Sequence, residues 1–501
     1  MKSDYQNKMF QQLEDVILKC DSLSRKLKNI EKEHSKEIKA LKSQIKKLEK
    51  ENSEKDQRIQ ELEQENANLK GEILRLKHNN NKDSSNSSKP SSTNGYKKVI
   101  TNRREPSTKK KGGQLGHKGS NLNKSKLNKI LKAPNTVVVK KEINKNKFNE
   151  NKKPIIRRTV DIETRVVVTE LWYYPDNDGK YNIPQEHSRF AQYGNNIKAM
   201  TTDLLYEVYN STDGVCNFIS SITNNLINLS KGTLINWANE LSNKLASEIE
   251  NIEANLMESY YNHCDESNIK VDSKSYNNIC ACNKKYTRLW IRQYKDHETL
   301  KEIEFFANYK GVIIKDGTDI YNGFGIILAQ CLSHIQRYIK NIIDANKHTG
   351  ATLMKTFLTK CYDRREELIA SNEASFTKHE YDSLMNEYER IISDWKREWM
   401  NSTENSNPVY DDERKLLHRL ESKDKEEILY FLKDFNVPAT NNPAEVDQRN
   451  IKIKQKIGKF RSVTGAEVYA TIRSCINTYK KNSINVFRAL LSAFQGATVI
   501  V

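Results

Sequence analysis

Three acidic residues far apart in the C-terminal half sit in settings where carboxylates do chemistry. Asn441-Asn442-Pro443-Ala444-Glu445 makes a turn and then a helix start, with Pro443 in the first turn, where a missing N–H costs least. Glu445 then lies near the positively polarised end of that helix, and Arg449 follows one turn later on the same face. Lys452, Lys454, Lys456, Lys459 and Arg461 continue the stretch. A carboxylate beside so many cations suits a group that binds a metal ion while phosphates lie alongside. The same residues also read as a capped surface helix with a solvated charge run, because short motifs match by accident.

Two upstream stretches favour the first reading. His263-Cys264-Asp265-Glu266-Ser267 precedes an alternating run, Asn268-Ile269-Lys270-Val271. Gly311-Val312-Ile313-Ile314-Lys315-Asp316-Gly317 is a short apolar run ending in an aspartate and a glycine, the pattern of a buried central strand with a carboxylate at its mouth. Two strand-borne aspartates and one helix-borne glutamate repel each other at close range unless divalent cations hold them. Hard oxygen ligands suit magnesium or manganese. Two such ions about 3.5–4 Å apart activate an attacking oxygen and stabilise a leaving one in phosphodiester chemistry.

In these contexts Asp265, Asp316 and Glu445 resemble the catalytic triad of a DDE transposase, specifically of the insertion sequence 66 family. Further stretches agree in the same order: Asn86-Ser87-Ser88-Lys89-Pro90-Ser91-Ser92, Gly112-Gly113-Gln114-Leu115-Gly116-His117-Lys118-Gly119, Ser230-Lys231-Gly232-Thr233-Leu234, Cys331 with His334 and Arg337, and Gly458-Lys459-Phe460-Arg461-Ser462. Each is weak alone; their shared order carries the likeness. The resemblance implies strand cleavage at element ends and strand transfer into target DNA. Asp265, Asp316 and Glu445 would be the catalytic residues and the ligands of magnesium or manganese. The alternatives are an inactive or domesticated DNA-binding protein of the same fold, or a ribonuclease H-like DNA nuclease. One departure stands out: the family usually carries arginine directly after the glutamate, where this chain has Val446 and brings its cation at Arg449.

Composition points the same way. The 501 residues carry 83 Lys+Arg against 65 Asp+Glu, a formal net charge of +18, with a pI near 9.2 and a mean hydropathy of −0.80. Such a chain expects a polyanionic partner, double-stranded DNA being the simplest. No apolar run approaches the roughly 20 residues that span a bilayer, so no membrane is expected. The first residues lack the apolar core of a signal peptide. The eight cysteines are scattered without a C-x-x-C pair, which suits free thiols in a reducing cytoplasm.

The elements that must position the acids follow from patterning. Residues 10–77 read as a coiled coil: Leu13, Val16, Leu23, Leu27 and Ile30 hold one heptad frame, and Ile38, Leu41, Ile45, Leu48, Ile59, Leu62, Leu69, Ile73 and Leu76 a second, slipped by four residues. Asn52 and Asn66 fall at core positions of that frame, which favours a register-fixed homodimer. A single helix folded back on its own domain is the other reading. Residues 78–132 form a flexible linker and basic arm, in which Lys109, Lys110, Lys111 and Lys118 are expected on DNA phosphates. Residues 133–190 alternate like strands and predict a small β module. The resembling family usually carries paired zinc-binding cysteines there; this stretch has none, so zinc is not supported.

Residues 191–258 are patterned as helices, either a DNA-binding helix–turn–helix region or a plain bundle. Residues 259–344 and 435–480 are expected to form the catalytic core, as three antiparallel strands, a helix and a fourth strand. Under the resemblance this is the opening of a ribonuclease H-like fold. His334 and Arg337 share one helix and are expected on DNA phosphates or as carboxylate partners near the site, as are Arg449, Lys452, Lys454, Lys456, Lys459 and Arg461 on phosphates. Residues 345–434 predict a helical insertion with Trp395 and Trp399 in its core, and 481–501 a C-terminal helix. The expected architecture is therefore an α/β ribonuclease H-like catalytic domain with a helical insertion. It follows a long N-terminal coiled coil and a small basic/β plus helical DNA-binding region. Accessory proteins of the element are further partners to test.

Overall fold

The computed structural model describes residues 2–81, 122–134, 136–141, 156–346, 348–401, 408–422 and 424–499. It opens on α1 (Lys2–Asn81), a single uninterrupted helix. Its heptad positions stand exposed: Leu13, Leu41, Ile45 and Leu48 are each more than half accessible. A short α2 (Lys124–Leu131) follows, capped by Asn123, whose side chain accepts from the Lys126 N–H at 2.9 Å. The arm residues Lys109, Lys110, Lys111 and Lys118 lie outside the described residues.

The expected small β module does not appear among the described residues of 133–190. The chain there runs without strand pairing, with one 3-10 turn at Gln185–His187. Val137, Val138, Val139, Ile162, Val167 and Val168 are all exposed. Their β-branched alternation fits a pleated surface only where another strand or a packed face receives it, and the described residues supply neither.

Four helices then lead into the sheet: α3 (Asn195–Tyr206), α4 (Thr212–Ile222), α5 (Lys231–Lys244) and α6 (Ala246–Met257). Ser211 and Ser230 cap α4 and α5 by accepting from the N–H groups of Gly214 and Thr233. These helices are continuous with the sheet in packing. Ala199, Ile219, Leu234, Trp237, Leu241 and Ile252 share one buried core with Cys264, Ile279, Ala281 and Ile313 of the sheet.

The sheet has the spatial order β3-β2-β1-β4-β5. β1 (Tyr261–Val271), β2 (Lys274–Cys282) and β3 (Thr287–Arg292) form an antiparallel meander, while β4 (Val312–Lys315) runs parallel to β1 and β5 (Ile327–Gln330) parallel to β4. Between β3 and β4 two short helices stand where one was expected, α7 (His297–Lys301) and α8 (Glu304–Asn308). Both faces of the sheet are covered. Ile279 and Ala281 of β2 join the core with α3–α6, while Cys280 and Cys282, pointing the other way, pack with Ala444 and Ile451, as period-two alternation requires.

After the sheet come α9 (Leu332–Asn346), α10 (Thr349–Ala370), α11 (Lys378–Asn401), α12 (Pro408–Glu421), α13 (Asp424–Ile428) and α14 (Tyr430–Lys433). Their apolar faces make a second, separate core. Trp395 is fully buried there, its Nε1 donating to Glu413 Oε1 at 2.6 Å, and Trp399 packs against the same core. The chain returns to the sheet as α15 (Asn442–Ile457), then α16 (Val463–Lys481) and α17 (Val486–Phe494). Among the described residues no helix is long and apolar enough to cross a membrane.

Candidate active site

Parallel pairing sets the first two carboxylates side by side. The β1–β4 rungs are Tyr261↔Val312, Asn262↔Ile313 and His263↔Ile314. The ladder stops there; carried two residues on, the same register would set Asp265 abreast of Asp316, just past the end of β4. Asp265 feels the consequence: burial, then the charges of Asp316, Glu266 and Glu445, hold its pKa well above the usual carboxylate range, with His334 pulling the other way. Glu266 points to the opposite face, where it accepts from Tyr321 Oη at 3.1 Å and pairs with Lys295 at 3.3 Å.

The third carboxylate is delivered by α15, which is fastened to the sheet by polar side chains. Asn441, just before the helix and fully buried, donates from Nδ2 to the Cys264 carbonyl at 2.8 Å, and its own N–H donates to Cys331 Sγ at 3.1 Å. Gln448, one turn past Glu445, donates from Nε2 to the carbonyls of Asp265 and Asn278, both at 3.0 Å, and its Oε1 accepts from Asn278 Nδ2 at 2.7 Å. Asp447 is buried against β3 and α16, accepting from Thr287 Oγ1 at 2.7 Å and Asn477 Nδ2 at 3.1 Å and pairing with Lys481 at 2.9 Å. These three anchors leave Glu445 on the face turned to the aspartates.

Cys331, His334 and Arg337 close the cleft, Cys331 just ahead of α9 and the other two on it. His334 is almost fully buried, with Nδ1 3.0 Å from Asp316 Oδ1 and Nε2 3.9 Å from Glu445 Oε1. The two atoms of the Asp316 contact lie close without the angles of a directed hydrogen bond. Arg337 donates from Nη2 to Glu445 Oε1 at 3.3 Å and lies with Nη1 2.9 Å from His334 Nε2. That approach makes Nε2 the acceptor and leaves the ring proton on Nδ1, facing Asp316. Burial opposes the charged ring, but Asp316 and Cys331 outweigh it and push the His334 pKa up to about 10; a charged ring carries a proton on Nε2 as well, so only the neutral ring keeps the Arg337 contact. His263, by contrast, is a buried neutral ring, lowered to about 4 by desolvation against a contact with Asn441.

Among the sequence-derived phosphate contacts, Arg337 stands at the cleft, and Arg449 is exposed and reaches Glu445 Oε2 at 3.7 Å. Lys456, Lys459 and Arg461 are exposed, whereas Lys452 and Lys454 are half-buried along α15, and Lys452 is tied to the Asn268 carbonyl. Burial lowers the pKa of both. The parallel bridge between Val271 and Phe460 draws the Lys459–Arg461 segment alongside the end of β1. Sequence reasoning took Asn441 only as part of a turn and gave Asp447 and Gln448 no role. Their signal was their spacing from Glu445, four residues before and two and three after, on a helix otherwise rich in cations.

The donor set suits hard cations. Asp316 Oδ1 is buried without a hydrogen-bond partner, and Asp265, whose charge burial, Asp316 and Glu445 disfavour, is the kind of group a divalent ion would stabilise. Asp316, Cys331 and His334 also come within ligand distance of one another, but Cys331 Sγ already accepts the Asn441 N–H. A second cluster, Cys280, Cys282 and Asp447, has similar spacing; its carboxylate is occupied by Lys481, Thr287 and Asn477.

No curated protein matches the chain. A family model described as Transposase IS66 family matches residues 196–468, from α3 into α16, and takes in all three carboxylates. The match covers more than half of the 501 residues, and the chain belongs to the IS66 family of transposases.

Proposed function

We propose that this transposase cuts DNA at element ends and joins the freed 3′ ends to target DNA through a centre built from Asp265, Asp316 and Glu445. One observation carries the reading: two carboxylates from adjacent parallel strands and one from a helix clamped across them face a single cleft. The strand order, with an antiparallel meander followed by two parallel strands, supports a ribonuclease H-like core. Asp265, Asp316 and Glu445 would hold magnesium or manganese, which when bound supplies polarisation of the phosphodiester and stabilisation of the attacking and leaving oxygens.

In the first step a water oxygen forms the new bond to phosphorus, the 3′ oxygen leaves and takes up a proton, and the cut strand ends in a 3′-hydroxyl. In the second step that hydroxyl attacks a target phosphodiester in line and displaces its 3′ oxygen, with no covalent protein intermediate. His334, with its Nδ1 proton toward Asp316, and Arg337, bonded to Glu445, keep the carboxylates oriented. Arg449, Lys456, Lys459 and Arg461, with Lys452 and Lys454, line a path for the DNA backbone, joined by Lys109, Lys110, Lys111 and Lys118 of the arm. Such contacts bind without reading sequence and weaken with salt. Pairing of two copies through α1 would bring two element ends together.

The test is strand cleavage by the purified chain on end-containing DNA with magnesium. The expected result is a nick at the element end that disappears in Asp316→Asn; unchanged cleavage by that variant would overturn the assignment.

A further inference from the structure

The helical insertion reaches back to the cleft through Arg419, in the last turn of α12. Its guanidinium lies against Gly317, the residue after Asp316. A Cβ at position 317 would stand 2.5 Å from Nη2, 3.0 Å from Nη1 and 3.1 Å from Cζ, so the missing side chain is what admits the guanidinium. The same group lies over the ring of Tyr338, with Cζ 5.6 Å from the centroid. Tyr338 is one turn along α9 from His334, their rings 6.4 Å apart. The charges of Arg419, Asp316 and Arg337 all act on that phenol.

The bonding of Arg419 is lopsided. Nε donates to Asp424 Oδ2 at 3.2 Å and Nη2 to Gln330 Oε1 at 2.6 Å. These occupy the side edge of the fork. Nη1 makes no hydrogen bond among the described residues, and the side chain is about a quarter exposed, at 24%. A pinned, planar guanidinium whose Nη1 has no hydrogen-bond partner among the described residues matches the shape and charge of a phosphate. A strut holding the insertion onto β5 would need the side edge alone.

Resting on the reading of the site as a phosphodiester-cleaving centre, we propose that Arg419 binds a DNA phosphate at or next to the cut. The insertion then forms part of the active site. Arg419 is a phosphate contact that the insertion contributes in the same chain, and Gly317 keeps its place beside Asp316 open.

The experiment compares the full-length chain with Arg419→Gln, Arg419→Lys and Asp424→Asn on end-containing DNA with magnesium. Each DNA substrate carries a single methylphosphonate at one position around the cut. Thermal melting reports folding; Arg419→Lys keeps the charge should Arg419→Gln unfold. The wild-type chain is expected to slow on one neutralised phosphate to which Arg419→Gln is indifferent. On unmodified DNA Arg419→Gln should cut about 10- to 100-fold more slowly, the size of one charge-assisted hydrogen bond. Arg419→Lys should recover part of that loss, and Asp424→Asn should keep the wild-type footprint. An Arg419→Gln chain with the wild-type rate and footprint overturns the proposal. So does an Asp424→Asn chain that loses both as fully, which makes Arg419 a strut. A wild-type chain that does not cut at all counts against the reading of the site instead.

Discussion

Gln448 Nε2 donates to the carbonyl of Asp265 at 3.0 Å, so the helix that carries Glu445 is bonded to the main chain of the first aspartate. The same amide also donates to the Asn278 carbonyl and accepts from the Asn278 side chain. Gln448→Leu removes this two-strand clamp and leaves buried polar groups of β1 and β2 unpaired, at about 1–3 kcal/mol each. The expected outcome is a lower unfolding midpoint and a slower cleavage step, with DNA affinity close to wild type because no cation is lost. Equal losses in DNA affinity and rate would show that Gln448 does not act by positioning the helix.

The acids are poised for a cation. Burial and the charges of Asp316 and Glu445 disfavour the Asp265 carboxylate, a cost that binding relieves. Magnesium or manganese should therefore stabilise the fold by about 2.7 kcal/mol at a hundredfold excess over the dissociation constant, read as a higher melting temperature. Asp316→Asn should melt higher than wild type in chelator and gain little from added metal. Identical melting shifts for both proteins would contradict a shared metal site.

How much of the fold and the site is legible in the chain varies with the physics. The strands of Asp265 and Asp316 show themselves by alternation and by a short buried run, and Pro443 marks the start of the Glu445 helix. β5 (Ile327–Gln330) escapes notice because four residues next to a helix carry no period of their own. The valines at 137–139 and 166–168 mislead, since β propensity measures fit to a neighbour and the described residues provide none. Gln448 and Arg419 look like ordinary surface residues of charged helices. Only the packing of α15 on β1, and the reach of Arg419 from α12 to Gln330 at the end of β5, gives them partners.

A pH dependence follows from Glu248 in α6. Burial raises its pKa, against hydrogen bonds from Tyr479 Oη at 2.8 Å and the Val499 N–H at 2.6 Å that lower it. The folded chain therefore holds a proton that the unfolded chain, near an ordinary glutamate value of about 4.3, has already released. Stability is highest below that ordinary value and falls as pH rises through the raised folded value, then levels off. Glu248→Gln should flatten that part of the curve, as urea unfolding between pH 4 and 7 would reveal.

In the insertion, α10 and α11 touch where Gly350 meets Trp395, and a Cβ there would lie 2.6 Å from the Trp395 Cα. Glu398 caps the start of α10 from the neighbouring helix, accepting from the N–H groups of Thr349 and Gly350 at 2.9 and 2.8 Å. Gly350→Ala drives backbone against backbone and should cost about 1–3 kcal/mol by overpacking. Glu398→Ala should cost about 1 kcal/mol through the lost cap. Because this core is separate from that of the sheet, protease nicking should rise in the insertion first. Uniform nicking across both cores would mean they unfold as one.

The long N-terminal helix yields the last prediction. Ile38, Leu41, Ile45 and Leu48 of α1 repeat at three and four residues and are each more than half exposed, a seam that a second copy would bury. Asn66 sits on the same seam and spends its amide on the Leu62 carbonyl at 3.0 Å. Across a dimer it could bond to its counterpart, which fixes register and strand number at some cost in stability. The expectation is a dimer in sedimentation that Leu41→Lys with Leu48→Lys turns into monomers. Asn52→Leu with Asn66→Leu should stay associated and melt higher, while admitting larger assemblies. Cleavage by the lysine double variant should persist on a single end and fail on reactions needing two ends together. A lysine variant that still sediments as a dimer would place the contact elsewhere in the chain.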